Sequence, residues 1–297
     1  TSIFNELYES MLEYKHAVQV EAGRPESFLR FQNLLLNDCT FLLDESIGKL
    51  QELHNMQYGL NDVPANLQEQ QQTERQLTSY MQLANADMKF LTSLTHDSPA
   101  PFARPEIVGR LAAMLLVNQS QLVGDRCRNL RVNQPERYHF DPRLLLSMLC
   151  RIFVNMSEQR SFCDAVRSDR RSFNPQLLES IVRVLERTKA VSQFELEVFT
   201  EAADRIASIT ADGDNVDEEG GEDVPEAFLD PLMFTVMRDP VRLKTSNVIV
   251  DRATIRAHLL NDPHDPFTRA PMDELVDVEE AGELRREIEA FLAARRK

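Results

Sequence analysis

The chain is poor in glycine, with nine among 297 residues, and it has no tryptophan. It contains no glycine-rich phosphate loop, which argues against a nucleotide-dependent enzyme that cradles phosphates on backbone amides. Its longest apolar run, Leu111 to Val117, is far too short to span a bilayer, so no membrane partner is expected. Basic residues are scarce, 33 against 48 acidic, for a formal net charge of −15. Phosphate binding needs concentrated Lys and Arg, so nucleic acid is not an expected partner either. Cysteine occurs only at Cys39, Cys127, Cys150 and Cys163, with no CxxC and no histidine at metal-ligand spacing. That usage fits a reducing compartment, with the thiols as small apolar core residues. An initiator Met and a signal-peptide pattern are both lacking at Thr1, so the chain reads as a fragment of a longer protein.

What is present divides into three. Residues 1–210 carry 22 basic and 27 acidic groups, 211–224 none and 7, and 225–297 carry 11 and 14. The first part reads as helix after helix. Phe4, Leu7, Tyr8, Met11 and Leu12 recur at the three-and-four spacing of one apolar face. Pro25 suits the first turn of the next helix, which carries Phe28, Phe31, Leu35, Leu42, Ile47, Leu50 and Leu53, with a break allowed along the way. Asn61 to Pro64 is a breaker. The helix after it places Leu77, Met81 and Leu91 inward and turns the glutamine-rich stretch Gln68 to Gln72 to solvent. Pro105, Pro142 and Pro175 open later helices, the last behind Asn174 as an N-cap. Many helices with short joints and no fixed period predict an irregular armadillo- or HEAT-like stack, with a compact bundle as the alternative. The stretch "ADGDNVDEEGGEDV", 211–224, buries too little to fold and reads as an acidic linker.

From 225 the grammar changes. "DPLMFTVMRDPV" holds two Asp-Pro pairs around Leu232, Met233, Phe234, Val236 and Met237. Proline disfavours helix before it and removes a donor, so this is a loop with unusual apolar content. Met233, Val236 and Met237 read mostly as core, whereas Leu232 between prolines reads as exposed. "VRLKTSNVIV" is a hairpin, and Asp251 caps the helix "DRATIRAHLLN", with Ile255 and Leu259 on one face. A second Pro-rich loop, "DPHDPFTRAPM", follows. Val276 and Val278 finish a small sheet. A last helix turns Leu284, Ile288, Phe291 and Leu292 inward, with glutamates early and arginines late as its dipole favours. Two loops flanking a central helix give the topology of a RING finger, but a RING needs eight Cys and His ligands for two zinc ions. No Cys follows Cys163 here.

The segments "DPLMFTVMRDPV", "DRATIRAHL" and "DPFTRAPM" fall in the order and spacing of the U-box, the zinc-free relative of the RING, and the region resembles that family. Residues 1–210 resemble the core of the U-box ubiquitin chain-elongation factors, in "FLRFQNLLLNDCTFLLDESIGKLQELH", "PFARPEIVGRLAAMLL" and "PERYHFDPRLLLSML". The resemblance implies a mostly α protein, a helical stack followed by a small α+β U-box at 225–297. It implies a ubiquitin ligase without a covalent intermediate or cofactor, whose U-box docks a ubiquitin-loaded conjugating enzyme. Leu232 then matches the first-loop anchor, Phe234 a supporting contact, and His258 a position on the central helix. Pro266 and Thr268 match second-loop contacts. Arg269 matches the residue that bonds both the conjugating enzyme and its ubiquitin. Asp239, Asp251, Arg252 and Asp265 are candidates for internal struts. Family members work beside an AAA-type segregase ATPase, in the cytoplasm or nucleus, on chains that lead to the proteasome. The rival reading is a helical-repeat adaptor whose U-box only recruits partners.

Overall fold

Proline and capping side chains set where most of the helices begin. The computed structural model describes residues 6, 8–10, 12–22, 25–58, 67–169, 171–208 and 224–295. After α1 (Leu12–Ala22), the helix α2 opens at Pro25 and runs to Gln57. It runs without a break, because its apolar positions keep one helical period and no proline interrupts them. It pairs with α3 (Leu67–Asp97), whose Leu77, Met81 and Leu91 are buried. Next come α4 (Pro105–Val123), α5 (Pro142–Met156) and α6 (Arg160–Ser168), then α7 (Pro175–Thr188) and α8 (Gln193–Ser208). Asp141 and Asn174 cap α5 and α7, each side chain accepting first-turn amides. Such a cap stabilises a helix by about 1 kcal/mol.

Packing alternates along the chain. α3 lies against α5, α4 against both α6 and α7, and α5 against α8. The described residues before Ser208 include no strand, so this unit is a stack of helices. Its core takes Cys39, Cys150 and Cys163, whose thiols burial pushes up, away from ionisation. Cys127 departs from the core reading, being only half-buried. Phe31 also departs: it stays exposed at the seam, its ring against Phe28 and Phe90. Phe4, Leu7, Met11, the Asn61–Pro64 breaker and nearly all of the acidic stretch lie outside the described residues.

Contacts divide the chain at Ser208, and the second unit has its own architecture. β1 (Pro240–Leu243) is the centre of a three-stranded antiparallel sheet, flanked by β2 (Ile249–Asp251) and β3 (Val278–Glu280). Val241 pairs with Val250 on one side and with Glu280 on the other. Asp251 caps α9 (Arg252–Leu259), accepting from the Ala253 amide. The short α10 (Glu274–Asp277) precedes β3, and α11 (Gly282–Arg295) closes the unit. Val276 does not join the sheet. It sits in α10, exposed like Leu275, because Asp273 caps a helical turn there by accepting the Leu275 amide. One core cluster holds Val241, Leu243, Val250, Ile255 and Met272. A second holds Val236, Met237 and Ile288, with Leu284 and Leu292 of α11 against it.

Candidate functional site

An aspartate followed by proline can turn a chain twice over. Its carboxylate accepts amides two and three residues on, while the fixed φ of proline suits the first corner. The second unit does this twice. In the first loop, Asp230 Oδ1 accepts the Leu232 and Met233 amides at 2.8 and 3.0 Å. In the second, Asp265 Oδ1 accepts the Phe267 and Thr268 amides at 2.7 and 3.0 Å. The fifth residue of each then donates its amide to the aspartate carbonyl, Phe234 at 2.7 Å and Arg269 at 2.9 Å. Both adopt left-handed backbone, with φ of 57° and 61°. An antiparallel bridge closes each base, Leu229 with Val236 and His264 with Pro271. Each loop ends on a buried methionine, Met237 and Met272, whose amide donates back to Phe228 and Pro263. The two loops are one device built twice.

Carboxylates and guanidinium groups hold these loops where a RING uses metal. Asp230 and Asp265 are fully buried. The second oxygen of Asp230 accepts the Asp251 amide at 2.6 Å, and that of Asp265 accepts the Thr245 hydroxyl. Burial alone would raise the Asp265 carboxyl, but bonds from the Thr245 hydroxyl and the Phe267 and Thr268 amides outweigh it and hold the group below its usual range. Asp251 goes the other way: burial raises it despite the amides of Ala253 and Arg238. Asp239 is gripped by Arg252 of α9 at 2.8 Å and by Arg285 of α11. Arg256 pairs with Glu274 at 2.8 Å. The struts are therefore Asp239, Asp251, Arg252 and Asp265 together with Asp230, which the sequence reading left out.

The side chains singled out from sequence fall into two groups. Phe234 is 72% exposed, Thr268 is exposed, and Arg269 stands out from the second loop with Asp262 at 2.9 Å as its partner. Its neighbour His264, then Arg269 itself and His258, keep the Asp262 carboxyl low. Leu232, Pro266 and His258 are half-buried. Leu232 is not the free side chain expected, since it packs on the Val241 cluster that Met272 also joins. His258 Nε2 donates to the His264 carbonyl at 2.8 Å, tying α9 to the second loop. Met233, read as core, is instead 61% exposed, because the Asp230 turn throws it outward. Phe267 is exposed as well. The two loops thus leave Met233, Phe234 and Phe267 exposed, with the Arg269 guanidinium on the second, the composition of a docking site rather than a catalytic pocket.

Comparison with known proteins decides the family. Residues 1–207 match the ubiquitin elongating factor core, and residues 224–297 match the U-box domain. The chain belongs to the ubiquitin elongating factor family. It is 38% identical to ubiquitin conjugation factor E4 of Schizosaccharomyces pombe, over 99% of this chain and 30% of that one. It is 40% identical to E4 ubiquitin-protein ligase UFD2 of Saccharomyces cerevisiae, over 97% of this chain and 31% of that one. Against ubiquitin conjugation factor E4 A of Bos taurus it is 33% identical, over 100% and 28%. The chain thus spans about three tenths of the length of these relatives.

Within the U-box, a signal for the missed residues was present in the sequence. "LDPLMFTVM" at 229–237 and "HDPFTRAPM" at 264–272 align without a gap, Asp-Pro to Asp-Pro and Met to Met. That alignment assigns Asp230 the role of Asp265 and sets Phe234 opposite Arg269. It also places Met233 at the same step as the exposed Thr268.

Proposed function

We propose that this chain is the ligase-bearing part of a ubiquitin chain-elongating factor. The observation that carries the reading is the pair of Asp-Pro loops, which hold Phe234 and Arg269 outward at equivalent positions of a U-box. A ubiquitin-conjugating enzyme carrying ubiquitin as a thioester docks there, with Leu232 and Phe234 from the first loop and Pro266 and Thr268 from the second. His258 holds the second loop to α9 beneath that contact. Arg269 offers five donors in a rigid fork, enough to bond the enzyme and its ubiquitin together.

The chemistry needs no nucleophile from this chain. A lysine amine, on the substrate or on an attached ubiquitin, attacks the thioester carbonyl. An isopeptide C–N bond forms, the C–S bond breaks, and the conjugating enzyme's thiol leaves while the amine gives up a proton. The U-box supplies orientation: holding the thioester in a near-attack arrangement lowers the barrier by several kcal/mol, up to roughly ten. An AAA-type segregase ATPase is the further partner this reading expects, in the cytoplasm or nucleus.

The test is chain synthesis in vitro with a panel of conjugating enzymes and a ubiquitin-fused substrate. Chains that lengthen with at least one of them support the reading. An enzyme that binds the U-box yet discharges no faster than alone would make the chain an adaptor.

A further inference from the structure

The helical unit contains a groove whose chemistry the U-box does not use. Between Gly124 and α5 the chain runs through two short helical turns, Asp125–Leu130 and Pro135–Tyr138. Residues 125–143 hold five arginines against Asp125, Glu136 and Asp141, a local excess of positive charge in a chain of net −15. This segment is anchored to the end of α2. His54 Nδ1 donates to the Arg131 carbonyl at 2.6 Å, and Gln57 accepts the Asn133 amide at 2.7 Å. Between it and α7 lies a cavity of about 440 Å³. Leu130, Val132, Phe140 and Leu146 form its floor, and Arg131, Arg143 and Arg187 stand around it. All three arginines are exposed, and none makes an ion pair among the described residues. Asp141, adjacent in sequence, spends its carboxylate on the Arg143 and Leu144 amides.

A larger cavity, about 540 Å³, lies by α5 and α8, and there the charges are already matched. Lys15 pairs with Asp97 at 2.6 Å, and Arg151 with Glu195 at 2.8 Å. The contrast is in the rim: one cavity has neutralised its charges, and the other presents three guanidinium groups above an apolar floor. We propose that the groove docks an acidic peptide segment of a partner protein, its apolar side chains on the floor and its carboxylates on Arg131, Arg143 and Arg187. Guanidinium forks suit bidentate carboxylates, and an anchored wall spares the ordering cost of binding. This inference rests on the helical unit alone and stands or falls apart from the ligase reading.

The probe is a short fluorescein-labelled peptide alternating glutamate and leucine, read by anisotropy on the whole chain. Controls are a glutamate–serine peptide and a single-stranded RNA of equal charge. Cys127 lines the groove and is the half-buried thiol, whereas Cys39, Cys150 and Cys163 are buried, so maleimide labelling reports on this site. The expected result is saturable binding that slows Cys127 labelling. Both controls should bind roughly tenfold more weakly or worse, a difference of about 1.4 kcal/mol. Arg131→Glu, Arg143→Glu and Arg187→Glu together should weaken the peptide by a similar factor at unchanged melting temperature. If RNA or the serine peptide binds equally well, the groove is a plain polyanion patch and the proposal falls. It falls equally if charge reversal leaves affinity intact. Should the triple variant not fold, labelling of the unmutated protein decides, and a Cys127 rate indifferent to peptide overturns the idea.

Discussion

In the first U-box loop the left-handed residue is Phe234, an apolar ring; in the second it is Arg269, a fork of donors. The backbone beneath them is the same, down to the bridge at the base and the buried methionine at the end. The third bond of each aspartate differs. Asp230 takes a main-chain amide from Asp251, whereas Asp265 takes a side-chain hydroxyl from Thr245. The comparison teaches that presentation and recognition are separate here. One carboxylate device fixes where the fifth side chain points, and the identity of that side chain decides what it meets.

The largest expected effect comes from removing the device. Asp230→Ala leaves three amides without their acceptor, and bonds to a charged group are each worth roughly 1.5–3 kcal/mol, so a loss of at least about 4.5 kcal/mol follows. Asp265→Ala should cost a similar amount. Urea unfolding followed by hydrogen exchange at the loop amides measures both. A loss under about 1 kcal/mol at either site would break the equivalence.

Next come the presented side chains. Arg269→Ala should slow thioester discharge at saturating ligase roughly ten- to a hundredfold, about 1.4–2.8 kcal/mol of barrier, with little change in affinity for the unloaded enzyme. Arg269→Lys should rescue poorly, since an ammonium lacks the planar fork. Phe234→Ala should do the reverse, losing affinity and keeping the saturated rate. If the two variants behave alike, the division of labour between the loops is wrong.

Leu232→Ala should weaken conjugating-enzyme binding by roughly 1–3 kcal/mol. Because Leu232 also packs on the Val241 cluster, about 1–2 kcal/mol of stability should go with it. Binding titrations corrected for the folded fraction separate the two parts.

Acid should act on the second loop. The folded Asp265 carboxyl lies below its ordinary range, so the unfolded chain takes up that proton first. Its contribution is complete above the unfolded value of about 3.9 and is lost as pH falls through the lower folded one. Asp251, raised in the folded state, works in the opposite sense: its contribution is complete below its unfolded value and fades as pH rises through the folded one. Melting of Asp265→Asn should be flatter than that of the parent below about pH 4.

The smallest effect is expected from glycine. Left-handed backbone costs a non-glycine residue roughly 1–2 kcal/mol, part of which the flexibility of unfolded glycine cancels. Phe234→Gly and Arg269→Gly should therefore leave stability unchanged or raise it by up to about 1 kcal/mol, while each loses its partner contact. Destabilisation by either would mean that the side chain, not the turn, holds that loop.

Much of this was written in local signals. Pro25, Pro142 and Pro175 begin helices because proline fits a first turn, and Asn174 caps where a short oxygen meets free amides. The hairpin, the Asp251 cap and the inward face of α11 were legible for the same reason. Exposure within loops was not. Met233 and Met237 look alike in sequence, yet one is thrown outward by the Asp230 turn and the other locked under α11. Val276 has the composition of a strand residue, but the Asp273 cap claims it for a helical turn. The groove beside α7 draws its lining from residues as far apart in the chain as Tyr58 and Thr188, which no local period records. The partners of Asp239 and Asp265 lie on other elements, so composition named the struts without pairing them.

Each loop-forming aspartate is followed by proline, and this bears on how the protein ages. Aspartyl residues in long-lived chains rearrange when the next residue's amide nitrogen closes on the side-chain carboxyl, giving a cyclic imide that reopens as an isomerised backbone. Pro231 and Pro266 have no N–H to bring to that closure. The two carboxylates on which the proposed docking surface rests are thereby shielded from the slow damage that tight, aspartate-rich turns ordinarily invite.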